Sequence, residues 1–478
     1  MESLFDAAKK PAGQEVCFMK KELLLILLVL TVIMSVSASY GEDMFYESFT
    51  YTILSDGTAE ITGYSGEEAE ITIPEQVEDE IRVTSIGSGV FANNEIITSV
   101  TIPEGVVSIG DHSFAECKVL QSVSLPESLR WLGDLVFQGN IMLSEVSLPE
   151  NLIRIGMNPF DRCDSLESLN ISENNIYYLT EEGVLLDRKA NALVAYPAGK
   201  TDPAYTIPEW VTDISAAAFS ENQFITEITL HENIAAIEGN PFCGCKVLTN
   251  IVISPVNIYF EVSNNTLYNR KDKNLIAYLW NSDSESFSVP SGIRSIGNEA
   301  FYKHKELQQI KLPETLVYIG DAAFAESGLT SIKIPNNVVS LGSNTFSSCE
   351  ALESVDLPSG LAQIERNAFS ECSSLKKIQF PKSLNVIGEG AFYNCTSLTE
   401  LELPENLFVI GDYAFLFCTG LTSVDFPNDL YSIGRGAFYG IENLSVTVTP
   451  GSLAEEWAIQ SQVPFEHKNV SYITTESI

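Results

Sequence analysis

Apolar residues return along this chain at a fixed interval. The residue that opens each I-G-x-x-A-F motif falls at Ile86, Ile109, Leu132, Ile155, Ile214, Ile237, Ile296, Ile319, Leu341, Ile364, Ile387, Ile410 and Ile433, so ten of the twelve spacings are 23 or 22 residues and the other two are both 59. A phenylalanine follows five positions later each time, from Phe91 to Phe438. Other columns keep the same register. A leucine sits six after many of these phenylalanines, as at Leu120, Leu375 and Leu398, and another sits three before the motif, as at Leu129, Leu361 and Leu407. Between them lies a short alternating segment that ends in proline, such as Val123-Ser124-Leu125-Pro126 or Leu401-Glu402-Leu403-Pro404.

Alternation with a period of two reads as a short, half-buried strand. Proline has no N–H to give to a ladder and ends it. A unit this small buries none of its columns alone, but stacked units bury them against their copies above and below. Thirteen units therefore predict one parallel sheet rising about 4.8 Å per coil, or roughly 60 Å in all.

Written L-x-x-I-x-L-P-x-x-L-x-x-I-G-x-x-A-F-x-x-C, the unit closely resembles the leucine-rich repeat of BspA-like surface proteins. Leu398, Leu401, Leu403, Pro404, Leu407, Ile410, Gly411, Ala414, Phe415, Cys418 and Leu421 show it in full, and the resemblance runs over roughly residues 45–468. It implies a curved α/β solenoid, with a parallel sheet on the concave face and short helical or irregular segments opposite. It also implies a binding role, adhesion to host or extracellular-matrix proteins among them, although a fold shared by so many functions does not fix one.

On the concave sheet the residue between the two apolar strand positions points outward. From Thr72 through Ser124, Asn170 and Thr229 to Ser288 this row is small or medium-sized and neutral. From Lys311 it turns mostly charged, through Lys333, Asp356, Gln379, Glu402 and Asp425. These six are the candidate binding residues, against the alternative of a merely solvated sheet face. The row lacks the aromatic anchors usual at hot spots, and Phe408 and Tyr431, sharing a column on the flank, are the candidates to supply them.

The predicted organisation is a 1–38 extension and signal peptide, a 45–73 N-terminal cap, a 74–443 solenoid and a 444–478 C-terminal cap and tail. Phe49 to Ile73 has a hairpin pattern, Gly451 to Ala458 reads as a short helix, and Val463 to His467 reads as a last edge strand. The two long spacings contain inserts near 172–206 and 254–288, related by an offset of 82 that pairs Tyr196 with Tyr278. Each reads as a hairpin around a polar turn, either continuing the stack or protruding to shape a binding face.

Net charge is −37, from 64 acidic and 27 basic residues, which repels nucleic acid and anionic membranes and favours solubility. Lys20 and Lys21 precede an apolar run from Leu23 to Val36 and the small residues Val36-Ser37-Ala38, a secretory pattern that places the chain outside the cell or on its surface. The run is short for a membrane span, and an uncleaved anchor is the alternative. Translation from Met19 accounts most simply for residues 1–18.

Seven of the nine cysteines lie three after a motif phenylalanine, from Cys117 to Cys418, a periodicity that reads as a core column of free thiols rather than as bridges. Cys243-Gly244-Cys245 is too tightly spaced for a zinc pair, Asp283-Ser284-Glu285 lacks a calcium-loop frame, and no metal or cofactor is expected. His112, His231, His304 and His467 form no H-E-x-x-H pair, and no nucleophile elbow or phosphate loop occurs, so no enzyme is expected. The expected function is a secreted or surface binding protein with a protein partner; the alternative is a structural envelope protein with no specific soluble partner. N-terminal sequencing of secreted material is expected to begin near Ser39; retention of residues 1–38 would favour the anchor.

Overall fold

The computed structural model describes residues 43–280 and 284–468. The signal segment and Cys17 lie outside the described residues. What is described is a solenoid of stacked coils, as the periodicity predicts, but each coil contributes two strands rather than one. The alternating segments pair in parallel with their copies one repeat on: Val100 lies opposite Val123, and Ile378 opposite Leu401. The I-G segments form a second parallel ladder of two-residue strands, Ser108–Ile109 with Trp131–Leu132 and then with Arg154–Ile155. Two residues are too few to show an alternation, so this ladder leaves no strand pattern in the sequence.

The third side of each coil, which the resemblance left as helical or irregular, is irregular. Its amides bond forward to the next coil: Phe91 N donates to Ser113 O at 2.8 Å, and Phe415 N to Ala437 O at 2.8 Å. Two residues per typical turn are left-handed, one three after the motif start (His112, Leu135, Ala322) and one two after the phenylalanine (Glu116, Arg162, Glu326). That conformation costs a residue with a side chain roughly 1–2 kcal/mol, which the inter-coil hydrogen bonds offset. The motif glycine serves close approach rather than a positive φ: a Cβ on Gly133 would lie 2.7 Å from the Asp111 amide of the coil before. The single α-helix among the described residues is Leu453–Gln460, capped by Ser452 and followed by the strand Phe465–His467, which pairs with Ser445–Val448.

The core is a set of columns. Consecutive phenylalanine rings stack with centroids 5.1 Å apart at Phe301–Phe324, 5.3 Å at Phe346–Phe369 and 5.2 Å at Phe392–Phe415, all nearly parallel and buried. Such pairs add about 0.5–1.5 kcal/mol each beyond burial. Three residues after each phenylalanine runs a column of donors. The Cys117 thiol donates to Phe91 O at 3.0 Å, Cys163 to Phe137 O at 3.1 Å and Cys395 to Phe369 O at 3.1 Å, and the described cysteines are free and buried. His304 takes the same place, its Nε2 3.0 Å from Tyr278 O, and burial pushes its imidazole down to about 4. Asn222 also takes it, donating to Pro197 O at 3.1 Å. The position thus favours a side chain that can donate to the preceding coil. Asn140, in the same column, is buried with neither amide atom partnered.

Part of the acidity is structural. The Glu104 carboxylate accepts from Glu127 N at 2.9 Å and Ser128 N at 3.1 Å, and Glu127 accepts from Glu150 N at 3.0 Å. A second column does the same: Asp111 accepts from Asp134 N and Asp134 from Met157 N, both at 2.8 Å, as Asp321 does from Ser343 N. Each carboxylate closes a turn amide that its own coil leaves open.

Each insert is a three-stranded antiparallel meander, Tyr178–Glu181, Val184–Asp187 and Ala192–Ala195 in the first and Phe260–Ser263, Thr266–Asn269 and Asn274–Tyr278 in the second. The hairpin expected around the polar turn is its second half. Its last strand enters the second ladder, Leu193 opposite Ile214 and Leu275 opposite Ile296. Tyr196 and Tyr278 join the aromatic column on Phe219 and Phe301. The inserts therefore continue the stack.

Asp134→Ala is expected to lower stability by about 1 kcal/mol, by urea denaturation, by stranding the Met157 amide, whereas Asp134→Asn, which keeps an acceptor, costs less than half as much. Equal losses for the two would show that the carboxylate column contributes no such bond.

Candidate functional site

The structure brings the six charged-row candidates together. Lys311, Lys333, Asp356, Gln379, Glu402 and Asp425 are the exposed outward residues of six successive strands of the first ladder. Lys333 pairs in register with Asp356, Gln379 with Glu402, and Glu402 with Asp425. Ion pairs knit the adjoining positions, Lys376 to Glu353 at 2.8 Å and Lys377 to Glu400 at 2.6 Å, and Lys468 holds Asp425 at 2.8 Å. Among the described residues Lys311 and Lys333 are in no ion pair. A shallow recess of roughly 520 Å³ opens between Asp356 and Gln379, with Lys382 and Phe380 on its wall.

The flank candidates sit beside the second ladder. Phe408 and Tyr431 stack with centroids 4.9 Å apart and planes within 10°, and they are 48% and 70% exposed, so the pair presents its edges to solvent. Ile176, Ile258 and Val339 occupy the same column and are exposed at 76%, 72% and 66%. Much of the exposed apolar surface is therefore on this flank, whereas the row on the first ladder holds one exposed large hydrophobic, Val252.

The turn side carries a third feature, which the repeat pattern did not predict. At both inserts the outer turn is missing, and the turns on either side meet directly. Asn158 Nδ2 donates to Ala217 O at 2.7 Å and Asn240 Nδ2 to Glu299 O at 2.9 Å, each across 59 residues. Both asparagines belong to an Asn-Pro-Phe tripeptide, 158–160 and 240–242, where most other coils have x-A-F and none has proline. This departure from the repeat, at the two coils before the inserts, is the signal that marks the place.

Charges gather there. In the left-handed column Arg162 reaches Glu116 at 3.0 Å, spanning two coils, and also Asp161 at 3.4 Å. Lys303 pairs with Glu221 across 82 residues. Glycine makes both reaches possible: a Cβ on Gly139 would fall 2.6 Å from the Glu116 carboxylate, and one on Gly244 would overlap that of Glu221. Around these pairs runs a groove of roughly 510 Å³ lined from Leu135 to Ser348, with Asp161, Cys243, Glu299 and Tyr302 at its middle. Burial raises the Glu299 carboxyl to about 7; the Asp161 charge adds to this, and a hydrogen bond with the Cys243 thiol opposes it. Burial also pushes the Cys243 thiol up. Cys245 instead donates to Phe219 O at 2.9 Å, so the two cysteines of Cys243-Gly244-Cys245 have separate partners. Among the described residues no three His, Cys, Asp or Glu side chains are grouped to hold a metal, and no helix is long and apolar enough to cross a membrane.

A family model described as the BspA type leucine rich repeat region, in six copies, matches residues 69–182, 203–277, 276–372 and 348–463. Among solved structures, a leucine-rich repeat protein from Eubacterium ventriosum is 22% identical over 84% of this chain and 95% of its own, with a TM-score of 0.47. A leucine rich cell surface protein from Faecalibacterium prausnitzii is 22% identical over 72% and 96%, with a TM-score of 0.29. The pneumococcal vaccine antigen PcpA is 20% identical over 90% and 99%, with a TM-score of 0.41. No curated protein matches.

Because Glu299 holds its proton to about 7 in the folded chain against 4.5 in the ordinary case, its ionisation opposes folding, and stability falls as pH rises between those values. Glu299→Gln, which mimics the protonated form, is expected to raise stability at pH 8 by about 1–2 kcal/mol, less than the full shift gives because the groove is open to water. By urea unfolding the gain is expected to shrink toward zero at about pH 5; a gain independent of pH would contradict a buried carboxyl there.

Proposed function

The chain belongs to the BspA-type leucine-rich-repeat family, and from that premise we propose that it is a surface or secreted binding protein whose first-ladder face engages a protein partner. The observation that carries this reading is the pair Lys311 and Lys333, two exposed cations outside every ion pair among the described residues, on a chain of net charge −37. Neighbouring lysines on this face are matched by acids one coil away. Two unmatched lysines followed by Asp356 and Glu402 form a dipolar row, which orients an approaching partner with acidic groups toward the lysine end. Adhesion to host or extracellular-matrix proteins is the form of binding proposed. Stacked coils buried throughout, with side chains on the row free of core contacts, suit recognition better than chemistry, and we assign no catalytic group.

The test is a binding screen of the purified chain against matrix proteins and whole cells, followed by the double variant Lys311→Glu, Lys333→Glu. The variant is expected to change stability by no more than about 0.5 kcal/mol per site. Association with an acidic partner is expected to slow about tenfold at low salt and to lose most of its salt dependence, as surface plasmon resonance would measure. A folded double variant that binds every identified partner unchanged would remove this face from recognition.

A further inference from the structure

We propose that the turn-side groove is a second docking site, for an extended segment of a partner protein that carries lysine or arginine side chains. The groove exists because two outer turns are omitted: Asn158 and Asn240 draw together turns that lie 59 residues apart, and the lining comes from seven coils in succession. At about 4.8 Å per coil it runs roughly 29 Å, the span of about nine residues of extended chain. Ala217 and Ala322 hold left-handed positions on its lining, where most other coils place longer side chains, and so leave the path open.

Its charge is one-sided. Asp161, Glu299, Asp321 and Glu326 line it, against Arg162 alone, and Arg162 is already held by Glu116 and Asp161. Glu326 accepts from the Tyr302 hydroxyl at 2.8 Å, and Lys303, the nearby second cation, is held by Glu221. Glu299 differs from these acids: the donor to its carboxyl is the thiol of Cys243, a weak one, and it is half-buried in the groove wall. A partly desolvated carboxylate so poorly matched is costly when ionised unless a cation completes it. An ammonium or guanidinium entering between Glu299 and Glu326 would do so, with the phenol of Tyr302 beside it. The inference rests on the reading of the chain as a protein-binding solenoid, but on a face other than the lysine row.

The probe is a nine-residue capped peptide alternating lysine and alanine, labelled with a fluorophore, with the glutamate-alanine peptide as its counterpart. Fluorescence anisotropy at 0.15 M salt is expected to show binding of the lysine peptide alone. The double variant Glu299→Gln, Glu326→Gln should weaken it at least about fivefold, whereas Glu104→Gln, Glu405→Gln, with the same change of charge on another face, should leave it within about twofold. Ser347→Arg, which places a cation on the groove lining, should weaken it similarly and covers the case in which the first variant fails to fold. For the wild type the affinity should rise between pH 6 and 8, and Glu299→Gln should abolish that rise. Equal losses in the groove and control variants would mean attraction to an acidic protein without a site, and would overturn the proposal. So would unchanged affinity in the groove variants, or displacement of the peptide by micromolar calcium alone. Lys311→Glu, Lys333→Glu is expected to leave peptide binding unweakened, so failure of the lysine face and failure of the groove are separate results.

Discussion

Apart from the short turn bonds, such as Leu120 N to Cys117 O, the N–H and C=O groups of a 23-residue coil point along the stacking axis, so each coil depends on its neighbours for most of its backbone hydrogen bonds. The constraint reaches every part of this molecule. Two parallel ladders satisfy the extended segments, and the turn amides bond forward to the next coil, as Phe91 does to Ser113 O. The Phe91 carbonyl accepts from the Cys117 thiol of the same next coil. The aromatic rings stack at 4.7–5.8 Å because the spacing that suits these hydrogen bonds also suits ring contact. A coil is thus defined by what it offers above and below, which is why columns, rather than single residues, hold the chemistry.

The same dependence explains how the inserts are accommodated. Their meanders feed a strand into the second ladder and an aromatic ring into the core column, so the ladder and core continue. They supply no outer turn, and the turns on either side close up through the asparagine side chains of Asn-Pro-Phe. Proline at 159 and 241 gives no amide to a ladder, and the preceding asparagine bonds across to the next available carbonyl. Side chains far apart in the chain are thereby crowded into the left-handed column. The charges found there are compensated in pairs, Arg162 with Glu116 and Lys303 with Glu221, and Glu299 is the residue whose compensation stays incomplete.

The acidity divides into two parts with different meanings. Glu104, Glu127, Asp111, Asp134, Asp321 and Asp412 accept turn amides one coil on, and to that extent the negative charge is a by-product of closing turns. Glu402 and, in the groove, Glu299 and Glu326 do no such work for the backbone, and their charge is available to an approaching molecule.

Period and column composition were decided by the sequence, because a 23-residue unit recurring this often leaves a stacked arrangement that buries its columns; the caps and inserts add turns beyond the thirteen motif-bearing ones. The outward row from Lys311 to Asp425 and the flank pair Phe408–Tyr431 followed from strand alternation and register. The second ladder did not, since a two-residue strand has no period to read and its extended backbone is imposed by stacking. Cysteine three after phenylalanine was legible as a buried column, but its role as a donor became visible only through the carbonyl it faces, the reason His304 and Asn222 can replace it. The groove was decided by tertiary structure alone: which turns touch where an outer turn is absent depends on the path of the meander through the stack, so the pairing of Glu221 with Lys303 and the burial of Glu299 beside Cys243 come from packing between segments that sequence spacing does not relate.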